Sequence, residues 1–108
     1  MSDIAINLIK LRPKAAIEEF ARFSTDLDQP TCLAQDVVEG FDAFAVARRD
    51  PGAPSVDIVE VMQVRSWPEW VEVRDNLAEL APVTKEFNRL VAPDGVSTIF
   101  ARLIPRGA

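Results

Sequence analysis

The chain has 108 residues, 48% hydrophobic and 27% charged, with a net charge of −5, a pI of about 4.6 and a single cysteine. This suffices for one domain over residues 1–108 with its own core, and the scattered basic residues argue against a nucleic-acid partner, which would meet a clustered basic face. No apolar run nears the roughly 20 residues of a membrane span, the N-terminus lacks the charged region of a signal peptide, and Cys32 alone fits a reducing cytoplasm.

Ile4 to Leu11 predicts a first strand, rich in β-branched and apolar residues. Pro13 opens a helical stretch in which Ala16, Phe20, Phe23 and Leu27 recur on one side and Glu18, Glu19, Arg22 and Asp26 on the other, with Pro30 expected to end it. A second strand follows over Phe41 to Arg49, with Ala43, Ala45 and Ala47 alternating with Phe44, Val46 and Arg48. The loop Asp50-Pro51-Gly52-Ala53-Pro54-Ser55 joins it to the third strand, and its two prolines make it a stiff connection rather than a lid.

The third strand, Val56 to Val64, is the most informative segment. Ile58, Met62 and Val64 point one way and Val59 and Val61 the other, so both faces are apolar and both should be covered. Glu60 shares the face of Ile58 and Met62. A carboxylate there must be paired, hydrogen-bonded or protonated, because an isolated buried charge is very costly. Ser66 is then placed to cap a helix, with Pro68 in its first turn and Trp67, Trp70, Val71 and Arg74 on one face. Pro82 begins a second helical piece with Val83, Phe87, Leu90 and Val91 inward, and Pro93-Asp94-Gly95 turns into a last strand, Val96 to Ile104.

The order β-α-β-β-α-β is the split βαβ of the ferredoxin-like fold, an α+β design with a four-stranded antiparallel sheet and helices on one face. Its other face would be bare, yet the third strand requires cover on both. Two such sheets pairing across a two-fold axis supply it, so a homodimer is expected.

These residues resemble the dimeric α/β-barrel superfamily, which includes antibiotic-biosynthesis monooxygenases, EthD-like proteins and muconolactone isomerases. Within it the chain is most similar to the REDY-like family, associated with prodigiosin-type pigment biosynthesis. The carriers are INLIKLRP (6–13), TDLDQPT (25–31), FDAFAVAR (41–48), VDIVEVMQV with Asp57 and Glu60-Val61, and VTKEFNRLV (83–91). The resemblance implies two sheets closing into one barrel and a small aromatic, polyketide-like or pyrrole-like metabolite as ligand. Family members often carry tyrosines near the third strand, and this chain has none, so no role for a phenol carries over. Haem-degrading members share an asparagine on the first strand, here Asn7, and a tryptophan, here Trp67. They also need a histidine, which is missing here.

Without histidine or tyrosine, chemistry must rest on carboxylates, arginines, amides, tryptophans or backbone groups, and no cofactor or metal is indicated. Glu60 is the candidate acid or base, with a pKa raised by desolvation. The competing expectation is a structural ion pair with Arg48 or Arg102 on neighbouring strands. Asn7 interrupts an apolar strand and would hold a substrate oxygen or satisfy a neighbouring backbone group. Trp67 and Trp70 would wall a pocket for a flat ligand or anchor their helix. Arg48, Arg74 and Arg102 are the candidate clamps for an anionic group. Cys32 lacks an activating partner for nucleophilic work, and Asp57 is expected at a turn or on the surface. Three functions follow: a cofactor-independent enzyme performing proton abstraction, isomerisation, cyclisation or oxygenation; a non-catalytic dimeric module that binds a small molecule or a partner enzyme; or a structural module whose pocket is filled by its own side chains.

Overall fold

Alternating side chains decide which way each strand of this protein faces. The computed structural model describes residues 2–107. In chain order it contains β1 (Asp3–Leu11), α1 (Ile17–Phe23), a π-helical segment (Ser24–Asp28), α2 (Gln29–Leu33), β2 (Val38–Ala45) and β3 (Ile58–Val64). There follow α3 (Trp67–Asn76), a 3-10 turn (Ala78–Leu80), α4 (Ala81–Leu90) and β4 (Val91–Ala101). The strands pair antiparallel in the order β2-β3-β1-β4, the ferredoxin-like arrangement. Ala5, Ile9 and Leu11 of β1 and Ile58, Met62 and Val64 of β3 are buried beneath the helices. Phe20 and Phe23 of α1 meet them from above and pack against Phe87 of α4, Phe20 edge-on at 6.3 Å and Phe23 tilted at 6.5 Å between ring centres.

The opposite face is apolar too. The register sets Ile6 between Val61 and Ile99, and Val59 between Leu8 and Phe44. Phe44 and Ile99 are more than half exposed there, at 54% and 53%.

Several boundaries differ from expectation, each for a local reason. Pro30 does not end the first helical stretch, which runs on through α2 to Leu33. In a regular α-helix its ring would strike the carbonyl of Asp26 and leave a hydrogen bond unmade. The π segment just before it widens the ladder, with Gln29 N–H donating to the Ser24 carbonyl. α1 itself begins at Ile17 rather than near Pro13, with the Glu19 carboxylate accepting from the Ala16 N–H at 3.4 Å. β2 starts earlier, at Val38, because a bulge between Val38 and Gly40 brings its first turn into the sheet, and it ends at Ala45. β3 begins at Ile58.

Pro93-Asp94-Gly95 is not a turn before the last strand but a bulge within it. β4 opens at Val91, and the pairing jumps from Ile9–Val96 to Leu11–Val91. Asp94 takes up the left-handed backbone, at φ 57°. Gly95 permits the close approach that follows, since a Cβ there would lie 2.7 Å from both the Ala92 and Lys10 carbonyl oxygens. Opposite the bulge, the Asp57 carboxylate accepts from the Leu11 N–H at 2.8 Å, so this residue closes the strand end rather than sitting free on the surface.

Gly95→Ala should therefore force two backbone carbonyls apart, and overpacking of this kind costs about 1–3 kcal/mol. Urea unfolding followed by circular dichroism should show a lower midpoint with an unchanged slope.

Candidate functional site

Between the sheet and the helices lies a cavity of about 380 Å³. Its floor is laid by positions that face one another across three strands. Asn7 on β1 is paired with Glu60 on β3 and with Thr98 on β4. The side chains link in the same order: the Thr98 hydroxyl donates to Asn7 Oδ1 at 2.8 Å, and Asn7 Nδ2 donates to Glu60 Oε1 at 3.3 Å. On the far side of β3 the partner of Glu60 is Ala43, too small to cover it.

Glu60 is 3% exposed, and its Oε2 has no hydrogen-bond partner. Burial is the main force raising its pKa to about 8, the negative charge of Asp28 adds to the rise, and the Asn7 hydrogen bond opposes it. At neutral pH Glu60 is therefore a carboxylic acid with a free oxygen lining the cavity. Such a group donates a hydrogen bond, or a proton, to an oxygen placed against it.

Packing of α3 against β1 sets the aromatic wall. The Asp3 carboxylate accepts from the Trp67 N–H at 2.8 Å, and Ser66 caps the helix by accepting from the Glu69 N–H at 3.4 Å. Trp67 is thereby held edge-on against Phe100, 5.0 Å between ring centres, and Trp70 is buried beside the cavity. Arg74, one turn on, lines the cavity and pairs with the neighbouring Asp75 at 3.0 Å, both side chains well exposed to solvent.

Five of the seven residues singled out in the sequence thus meet at one cavity: Asn7, Glu60, Trp67, Trp70 and Arg74. Arg48 and Arg102 do not. Both are exposed, Arg48 beyond the end of β2 and Arg102 beyond the end of β4. The expected ion pair between Glu60 and either arginine is accordingly not made, and the carboxylate's partner is an amide.

Among the other residues lining the cavity, Thr98, Asp28 and Cys32 bear on its chemistry. Thr98 completes the hydrogen-bonded row. Asp28, at the end of the π segment, is 5% exposed and accepts a hydrogen bond from the Cys32 thiol at 3.3 Å. Burial raises the Asp28 pKa to about 6, and it raises that of the thiol as well, with the Asp28 charge adding to the effect. Cys32 is held as a neutral thiol. A signal for this wall is present in the sequence, because Phe20, Ser24, Asp28 and Cys32 form a row at four-residue spacing and all four are buried. Among the described residues no group of three or more histidine, cysteine, aspartate or glutamate side chains is arranged to hold a metal ion.

The model of the family described as REDY-like protein HapK matches residues 3–104. No curated protein matches the sequence. Among solved structures, HapK from Hahella chejuensis is similar at a TM-score of 0.76 and 19% identity, covering 100% of this chain and 97% of that one. A dimeric ferredoxin-like protein of unknown function from Thermobifida fusca is similar at 0.69 and 12% identity, covering 95% and 92%. An EthD family protein from Bacillus halodurans is similar at 0.66 and 10%, covering 96% and 100%. Likeness at these identities establishes the fold and leaves the chemistry to the site itself.

Burial of Glu60 carries a signature in stability. The folded state keeps the proton up to about pH 8, whereas the unfolded chain releases it near the ordinary value of 4.5. Below pH 4.5 this group has no effect on the balance. Between the two values the folded protein should lose about 1.4 kcal/mol per pH unit from this group, and above pH 8 the loss levels off. Glu60→Gln has no proton to release, so its advantage over the native protein should grow from pH 5 to pH 8. Paired denaturant titrations across that range measure the difference, and a constant offset would show that Glu60 is ionised in the fold.

Proposed function

The chain belongs to the family of the REDY-like protein HapK, and we propose that it forms a homodimeric α/β barrel that binds a small, flat aromatic, polyketide-like or pyrrole-like metabolite in the Glu60 cavity and moves a proton on it without a cofactor. The observation that carries this reading is Oε2 of Glu60, buried and without a partner at the floor of a cavity walled by two tryptophans. A carboxylate kept for structure would have its lone pairs or its proton satisfied. This one retains a free donor where a ligand oxygen would lie.

In this reading Glu60 is the acid or base, and Asn7 orients it while its own amide is held by Thr98. Trp67 and Trp70 sandwich or flank a planar ring. Arg74 stands near solvent and suits a polar substituent of the ligand rather than its core. A volume of about 380 Å³ lies within the range of small-molecule sites. The reading extends to a role in secondary metabolism or catabolism, and the buried, unpaired thiol of Cys32 suits a reducing cytoplasm.

Dimerisation is supported by the second apolar face. Ile6, Leu8, Val59, Val61, Phe44 and Ile99 form a patch that no helix among the described residues covers, and contiguous apolar surface of this kind marks an interface. Structural relatives from Thermobifida fusca and Bacteroides fragilis are described as dimeric. Val59 lies between Leu8 and Phe44 in the patch, so Val59→Arg should weaken the dimer on the order of 100-fold, because an unpaired charge would be buried. Sedimentation velocity over a concentration series reads this directly.

The ligand is tested by native mass spectrometry of protein purified from its source organism. A dimer carrying an additional small mass is the expected result. A bare dimer whose tryptophan fluorescence is also unchanged by 1-tetralone or 1,4-naphthoquinone would overturn the binding reading, and a monomer would overturn the barrel.

A further inference from the structure

Of the three carboxyl groups lining this cavity, two are buried, and neither of these meets a cation among the described residues. Glu60 rises from the sheet and Asp28 descends from the end of the π segment, so they occupy its floor and its helical wall. The other titratable groups lining the cavity are Cys32 from α2 and Arg74 and Asp75 from α3, and the last two neutralise each other. An acidic pair alone would signify little. Here one member has a wholly buried oxygen without a partner, which is an opening for a ligand atom.

We propose that Asp28 and Glu60 act as a base and an acid on opposite sides of an enolisable carbonyl compound, Asp28 taking a proton from the carbon next to the carbonyl while Glu60 gives its proton to the carbonyl oxygen. This rests on the binding and proton-transfer role proposed above and names the second residue and the substrate class. In the step the C–H bond breaks, its electron pair forms the C=C bond, and the carbonyl π pair moves to oxygen, which takes the Glu60 proton. Asp28 ends protonated and Glu60 ionised. Return of the Asp28 proton to a different carbon of the conjugated system, with the enol proton going back to Glu60, completes an isomerisation and restores both groups. No oxidant, reductant or metal enters the balance.

The assignment of roles follows from the surroundings. Two buried carboxylates in one cavity resist being ionised together, so the pair retains one proton. Glu60 is the more deeply enclosed and keeps it, having a pKa of about 8 against about 6 for Asp28. The only hydrogen bond to the Asp28 carboxylate among the described residues comes from a thiol, a weak donor, which leaves the carboxylate basic. Separated values of this kind define acid and base within a pair. Among the described residues the cavity lining holds no cation free of a partner, so it favours a neutral carbonyl compound over a carboxylate.

The test uses the intact protein, Asp28→Asn and Glu60→Gln, with 13C-labelled glutamate and 2-tetralone as probe. Asparagine keeps an acceptor for the Cys32 thiol, and thermal melts confirm folding. In Asp28→Asn the Glu60 carboxyl resonance should titrate at lower pH than in the native protein, and an unchanged midpoint would overturn the pairing. The native protein should catalyse deuterium incorporation next to the carbonyl with a bell-shaped profile, rising near pH 6 and falling near pH 8. Each variant should lower that rate at least 100-fold. Loss in Glu60→Gln with a normal rate in Asp28→Asn would overturn this inference and leave the single-acid reading standing. No catalysed exchange in the native protein would overturn both.

Discussion

A carboxyl group at the centre of an inner strand, given an amide instead of a cation, governs the rest of the site. Desolvation of Glu60 has no opposing charge to offset it, so the group answers by holding its proton. Asn7 can satisfy one oxygen because antiparallel pairing puts it directly opposite, and Thr98 can fix that amide because it is the next partner across the sheet. The row runs from a buried acid to an exposed hydroxyl and spans three strands. Moving any strand by one residue would turn its member toward the other face. Register, and not merely composition, therefore builds the site.

The same alternation that sends Glu60 toward the helices sends Val59 and Val61 away from them. A strand apolar on both faces needs two covering layers, and one chain supplies only one. The proposed barrel interface and the cavity are thus two sides of a single strand, β3, flanked by β1 and β2. Association on one face would stiffen the strand that carries the acid on the other, without an interface residue touching the ligand.

Much of this was legible in the sequence, and the failures are instructive. The element order, the face shared by Glu60, Ile58 and Met62, and the cap at Ser66 all follow from local pattern, because alternation and capping are properties of adjacent residues. The partner of Glu60 was not legible as an ion pair or an amide bond, since it depends on which residue of β1 lies opposite and on where β2 and β4 stop. Arg48 was assigned to a strand that ends three residues before it. Asp28 precedes Pro30 and escaped because its row, shared with Phe20, Ser24 and Cys32, is half polar, whereas apolar spacing marked Ala16, Phe20, Phe23 and Leu27 as the inner side. The π segment lets the chain pass the proline, and the buried row that includes Phe20 continues to Cys32. Following the four-residue spacing from Phe20 through Ser24 puts that aspartate on a buried face.

That widening also accounts for the asymmetry of the cavity. Strands deliver Asn7 and Glu60 from β1 and β3, each with ladder partners on both sides, and Thr98 from the edge strand β4. The helical wall is delivered by a segment whose ladder has been loosened to admit a proline, and such segments recur at functional sites because they redirect one side chain without breaking the helix. Asp28 occupies the last position of that segment, secured through a thiol one turn later. In the proposed step an acid on the sheet faces a base on a locally re-aimed turn, which lets the separation of the two groups be set by the helix alone, while the sheet, its register and its second apolar face stay the same. Changes in reaction geometry on this scaffold should therefore concentrate in the residues between Ser24 and Cys32 rather than in the strands.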